Sequence, residues 1–285
     1  MKSIVRATMH GAVSIVNAIA TGNGSALGIS LKVIAEIALE KGHGIKYAAT
    51  IQNHKLITNV IRNIIPNNII NKNSIYVNIV SEIPMGLGLK SSSAVTNAVA
   101  LACIKLVNEK IDDRAVLEAA VRASVDTKVT VTGAYDDSTA CYFGGFVVTD
   151  NYAHKLIRRD KAPDNIYAII FIPSVRDRRN IDKLTIMSDL FLEAFNLAKS
   201  RDYWKAMKLN GVICSSVFCK EYAPILEALE KGALAASVSG NGPAIAAVTH
   251  RDQIEEIKSV FIKFNGSILV SKVNNQKASA EKING

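Results

Sequence analysis

Residues 84–94 read PMGLGLKSSSA. Gly86 and Gly88 allow a backbone to close tightly around an anion, and Lys90 adds a point charge that suits phosphate. Ser91, Ser92 and Ser93 supply hydroxyls where a helix would begin, next to N–H groups that lack intrahelical partners and carry about half a positive charge. Two well-known phosphate loops are excluded. G-x-x-x-x-G-K-[ST] needs glycine directly before lysine, but Leu89 separates Gly88 from Lys90, and no glycine stands five residues before Gly88. G-x-G-x-x-G needs a third glycine where Ser91 stands. On these residues alone, a phosphate cradle and a tight turn followed by a serine cap are equally open readings.

Two further segments have chemistry-bearing composition. GAYDDSTACYFGG (133–145) places adjacent carboxylates, Asp136 and Asp137, before a glycine pair. A carboxylate there can accept a hydroxyl proton, or it can serve a turn through local backbone bonds. In an extended segment, adjacent side chains point opposite ways, so only one of the two can face a given substrate. SVSGNGPAIAAV (237–248) is a second glycine loop.

Together the segments point to a family. Ile83, Pro84, Gly86, Gly88, Leu89, Ser91, Ser92 and Ala94 form I-P-x-G-x-G-L-x-S-S-x-A. This resembles the second motif of the GHMP small-molecule kinases, which include galactokinase, homoserine kinase and mevalonate kinase. Ser239, Gly240, Gly242 and Pro243 resemble their third motif. The segment ending in Gly144-Gly145 resembles their substrate-side segment. The variant GLKSSSA, the opening GAVSIVNAIATGNGSALGI and TGAYDDSTACYFGG look most like the archaeal-type shikimate kinases within that superfamily.

The resemblance implies an α+β fold of two domains, the GHMP kinase fold. Residues 1–155 would form a nucleotide-binding domain like the second domain of ribosomal protein S5, and 156–285 a ferredoxin-like domain. ATP would lie between them, its phosphates on Pro84, Met85, Gly86, Leu87, Gly88, Leu89, Lys90, Ser91, Ser92 and Ser93. Counted back from Gly144-Gly145, Asp137 falls where mevalonate kinase and galactokinase carry a catalytic aspartate. Asp126, eleven residues earlier, would hold Mg2+ together with Ser92. Two departures stand out. Lys90 replaces the usual glycine. Ala12 stands where mevalonate kinase has a lysine beside its aspartate, so Lys90 is the candidate to supply that charge or to bridge the transferring phosphoryl group. The acceptor would be shikimate, giving shikimate 3-phosphate for aromatic amino acid biosynthesis. Asp137, Ser239, Gly240 and Gly242 would bind it, and its carboxylate would call for an arginine among Arg176, Arg178 and Arg179. Asp137 argues against a homoserine kinase, which carries asparagine there, and Lys90 argues against both homoserine and mevalonate kinases. A non-catalytic ligand sensor on this scaffold conflicts with the intact glycine loop and the two aspartates.

The elements needed to position these residues are legible in outline. The 285 residues are 49% hydrophobic and 21% charged, enough for a full core. Strands are expected at 4–9, 13–19, 45–51, 75–80, 143–149, 165–173, 234–238 and 267–273, with 30–40 mixed in period and 244–249 a strand or the start of a helix. Helices are expected at 91–108, 113–124, 184–199, 201–217, 222–231 and 251–262. The polar stretch 151–165 reads as a domain boundary, and the tail NNQKASAEKING as fraying.

Other classes are disfavoured. Apolar runs fall short of a membrane span. Lys2 and Arg6 precede an apolar run ending in Ala18-Ile19-Ala20, but His10, Ser14 and Asn17 interrupt it, so an opening strand is expected rather than a leader. Cys103, Cys141, Cys214 and Cys219 lack metal-site spacing and suit a reducing cytoplasm. The formal net charge of +9 is spread along the chain without interleaved aromatics, which suits a small anionic substrate better than nucleic acid. A homodimer is compatible with the sequence, which does not specify the oligomeric state.

Overall fold

Small and β-branched residues dominate the first forty positions, and they form a hairpin of two long antiparallel strands, β1 (Ser3–Val16) and β2 (Asn23–Lys41). The sequence divides the first of these into two strands; a register shift between His10 and Gly11 lets one strand continue through both. The structure, a computed structural model, describes residues 3–49, 51, 53–108, 110–130, 132–174, 181–218 and 222–284.

Five elements follow the hairpin: β3 (Gly44–Tyr47), α1 (His54–Ile64), the short α2 (Asn67–Ile70), β4 (Asn73–Ser81), which pairs with the hairpin's open end, and α3 (Ser91–Val107). Then come α4 (Asp113–Asp126), α5 (Tyr135–Phe143), β5 (Phe146–Asp150) and β6 (Lys155–Asp160). β4 lies beside β2, β3 pairs with it in parallel, and β5 pairs with the start of β2. α3 packs on β1 and β2 with α1 and α4 over its outer side, so its residues are apolar nearly all round, as a doubly covered helix requires. Asp112 caps α4, its carboxylate accepting from Arg114 N at 2.9 Å.

The second sheet has the order β10-β7-β9-β8, every neighbour antiparallel, from β7 (Ile166–Pro173), β8 (Ala235–Val238), β9 (Ile245–His250) and β10 (Gly266–Lys272). With helices α6 (Ser188–Lys199), α7 (Tyr203–Phe218), α8 (Ala223–Glu230) and α9 (Ile254–Ile262) in the crossovers, this is the ferredoxin-like arrangement. α6 and α7 also pack on β1, so they lie between the two sheets.

Two sequence expectations differ. The polar stretch 151–165 contains β6, which pairs with β5 and belongs to the first sheet. The tail does not fray: β11 (Ser279–Asn284) pairs with β1 from Ser3 to Thr8. Asn274 leads it there, its N–H donating to Gly28 O at 2.9 Å and its carbonyl accepting from Gly145 N at 2.7 Å. Polar composition hid both strands, because β6 and β11 lie at sheet edges where one face and one rim meet water. α1 and α5 were also not anticipated. Among the described residues no helix is long and apolar enough to cross a membrane.

Ending the chain after Lys272 should therefore lower the melting temperature by more than about 5 °C, the shift that accompanies a loss of roughly 2 kcal/mol in a chain of this size. An unchanged melt would show the returning strand to be dispensable.

Candidate active site

The loop before α3 owes its shape to three left-handed residues, Gly86, Gly88 and Lys90, with φ of 71°, 84° and 66°. Between them Leu87 and Leu89 are buried in the core and anchor the loop. Lys90 adopts a conformation costing a non-glycine residue about 1–2 kcal/mol, at the position where the resembling family carries glycine. No side chain caps α3, so the N–H groups of its first turn are open to an anion. The serine-cap reading is thereby excluded.

The second glycine loop docks directly onto the first. Ser239 Oγ donates to Gly88 O at 2.7 Å and accepts from Ser14 N at 3.1 Å, while Ser14 Oγ accepts from Gly240 N at 2.9 Å. A Cβ on Gly88 would overlap the Ser239 carbonyl oxygen, so only glycine permits this approach. Asn17 on the turn after β1 donates to Gly240 O, and its own N–H reaches Asn210 Oδ1 on α7 at 2.9 Å.

Opposite the α3 N-terminus stands the first turn of α5, with Ala134 left-handed before it and again no side-chain cap. Asp136 and Asp137 occupy this turn, where the helix dipole favours negative charge. Lys90 Nζ lies 2.8 Å from Asp137 Oδ1, with the lysine side chain 6% and the aspartate side chain 18% exposed. Burial works against the Lys90 charge, but the carboxylates of Asp137 and Asp136 outweigh it and hold its pKa above the ordinary lysine value. Asp136 is pushed well above the usual carboxylate range by burial and by the neighbouring Asp137 charge.

These groups line a cleft of about 530 Å³ whose walls include Gly86, Gly88, Lys90, Ser91, Ser92, Ser93, Asp136, Asp137, Gly240 and Gly242. Other sequence-expected residues lie elsewhere. Pro84, Met85 and Leu87 do not line it; Met85 is exposed and Leu87 is packed in the core. Ser239 is fully buried and serves as the bolt between the loops rather than as a cleft surface. Asp126 is exposed at the last turn of α4 and does not line the cleft, whereas Ser124, two residues back and so on the opposite side of the helix, does. Arg176, Arg178 and Arg179 lie outside the described residues.

Family comparisons agree with this geometry. Residues 55–145 match the family "GHMP kinases N terminal domain", and 199–267 match "GHMP kinases C terminal". The chain belongs to the GHMP kinases. It is 33% identical to the shikimate kinase of Methanobrevibacter smithii over 96% of this chain and 98% of that one. It is 36% identical to the shikimate kinase of Methanosarcina acetivorans over 98% and 97%. Among solved structures, a homoserine kinase from Cytophaga hutchinsonii superposes with a TM-score of 0.75 at 19% identity, covering 98% of this chain and 97% of that chain. The Methanococcus jannaschii mevalonate kinase gives 0.73 at 16%, covering 96% and 98%. The last two establish the shared GHMP kinase fold.

Several cleft residues had no clear sequence signal. Ser14 and Asn17 registered only as polar interruptions of an apolar run. Lys128, a left-handed residue on the α4–α5 connection, also lines the cleft.

The Lys90 pair leads to a test. Its folded-state pKa is raised, so its stabilising contribution is present throughout the range below the ordinary lysine value and is lost only as pH climbs above it. Lys90→Met should melt below wild type at neutral and at mildly alkaline pH alike. Lys90→Gly, which relieves the backbone, should melt above Lys90→Met. Both should lose about tenfold or more in kcat, because each removes the ammonium. Retained turnover in both would show that the charge is not required.

Proposed function

We propose that the protein is an ATP-dependent shikimate kinase. The single observation that carries this reading is the buried Lys90–Asp137 pair at an open helix N-terminus. It occurs in a GHMP kinase whose near-full-length relatives are named shikimate kinase. The nucleotide phosphates would rest on the 86–93 loop and the N–H groups of α3. Asp137 would accept the proton of the attacking hydroxyl as its oxygen bonds to the γ-phosphorus and the bond from phosphorus to the ADP oxygen breaks. Lys90, fixed against Asp137, pairs with that carboxylate and brings a positive charge close to the transferring group.

Magnesium fits the donor set as a partner of ATP. Among the described residues no three His, Cys, Asp or Glu side chains gather, as a fully protein-held metal site would require. Magnesium favours oxygen donors and typically takes only one or two from the protein, the rest from water and phosphate. The Ser92 hydroxyl at the cleft is the donor we assign, with Asp137 opposite. When bound, the ion neutralises charge on the phosphate oxygens.

A carboxylate-bearing acceptor requires a cation away from the phosphates. Arg176, Arg178 and Arg179 remain candidates from the sequence, and Lys128 joins them from the cleft wall. Lys128→Met should raise the KM for shikimate severalfold while leaving that for ATP unchanged. An unchanged shikimate KM would assign the role to the arginines.

ATP turnover measured side by side with shikimate, homoserine and mevalonate tests the proposal, and activity is expected with shikimate alone. Asp137→Asn should lower kcat by at least about tenfold to a hundredfold. Turnover of another acceptor, or of none, would refute the assignment.

A further inference from the structure

Asp136 is a carboxyl group in a place where burial is costly. It is 4% exposed, and the residues around it are arranged to accommodate it. A Cβ on Gly24 of β2 would come within 2.5 Å of Asp136 Oδ2, so that strand gives up a side chain to make room. Asn151, fully buried just after β5, grips Asp136 twice: its Nδ2 donates to Asp136 Oδ1 at 2.8 Å, and its Oδ1 accepts from Asp136 N at 3.0 Å. Asn151 is itself held by three groups. Thr149 Oγ1 donates to its Oδ1 at 2.7 Å, its Nδ2 reaches Thr132 Oγ1 at 3.3 Å, and its N–H donates to Gly22 O at 2.8 Å.

We infer that Asp136 and Asn151 form a positioning clamp that fixes the direction in which Asp137 presents its carboxylate to the acceptor hydroxyl. This rests on the reading of Asp137 as the proton acceptor. Asn151, tied to the sheet, holds both the backbone N–H and the side chain of Asp136, the residue directly before Asp137, while Lys90 lies against the Asp137 side chain. Asp137 is therefore constrained from both sides. A residue retained only for stability would be apolar here, because well-packed apolar groups are commonly as stable as buried charges or more so. Asparagine at position 136 would keep the shape of the side chain but lose the charge that faces Asn151 and Lys90.

The test compares Asp136→Asn, Asn151→Ala and Thr149→Val with wild type for kcat, KM for ATP and melting temperature, with Asp137→Asn as reference. Asp136→Asn and Asn151→Ala should lose about tenfold or more in kcat, as expected when a reacting group is misplaced by up to an ångström. KM for ATP should stay within about twofold of wild type, because the phosphate loop is untouched. Asp136→Asn should melt no lower than wild type at mildly alkaline pH, since it removes a buried group whose ionisation is disfavoured. Thr149→Val, which deletes only the outer hydroxyl, should show a smaller kcat loss in a fully folded protein and covers the case in which Asn151→Ala fails to fold. Slow turnover without lost stability or ATP affinity is the signature of positioning. A kcat within about threefold of wild type for both Asp136→Asn and Thr149→Val would overturn the inference. So would a kcat loss matched by a parallel loss of melting temperature and ATP affinity. Normal turnover in Asp137→Asn would instead overturn the reading of the base, and the clamp with it.

Discussion

One buried ammonium holds the site together. Lys90 sits between the N-termini of α3 and α5, two places where backbone dipoles already favour anions. A positive charge there is unfavourable by itself. It persists because the adjoining carboxylates of Asp137 and Asp136 outweigh the loss of hydration. The lysine accepts a left-handed backbone to reach this position. Backbone strain, burial and the ion pair are thus concentrated on one residue, where a departure from local preference accompanies function.

The site also depends on the docking of the two sheets. Ser239 bolts the second glycine loop to Gly88, Ser14 ties that loop to β1, and Asn17 and Asn210 extend the polar contact to α7. Asn210 continues to Ser237 Oγ at 2.8 Å, so the chain of bonds reaches the second sheet itself. The cleft exists only where these loops meet. A cleft built at such a junction is walled by surfaces fixed by different parts of the fold.

Much of this was legible from residue order. The glycine and serine spacing of 84–94 marked the loop before α3, the apolar period located α3, and Gly144-Gly145 led to Asp137 on the cleft wall. Other parts were not. Asp126 was placed by sequence separation alone, and a separation says nothing of which side of a helix a residue faces; α4 turns it outward. The resemblance to the third motif put Ser239 at the substrate, whereas here its hydroxyl is consumed between two loops. β6 and β11 were read as linker and tail because edge strands carry polar residues and announce themselves weakly.

By itself the sequence determined the family, the α+β class and the loop residues that meet at the cleft, because glycine spacing and helical periodicity are local properties of the chain. Tertiary structure decided which of those residues meet. Lys90 finds Asp137, Asn151 finds Asp136, and the C-terminal strand finds β1, each across a separation that local patterning cannot encode. Only the packed fold brings these groups within hydrogen-bond distance.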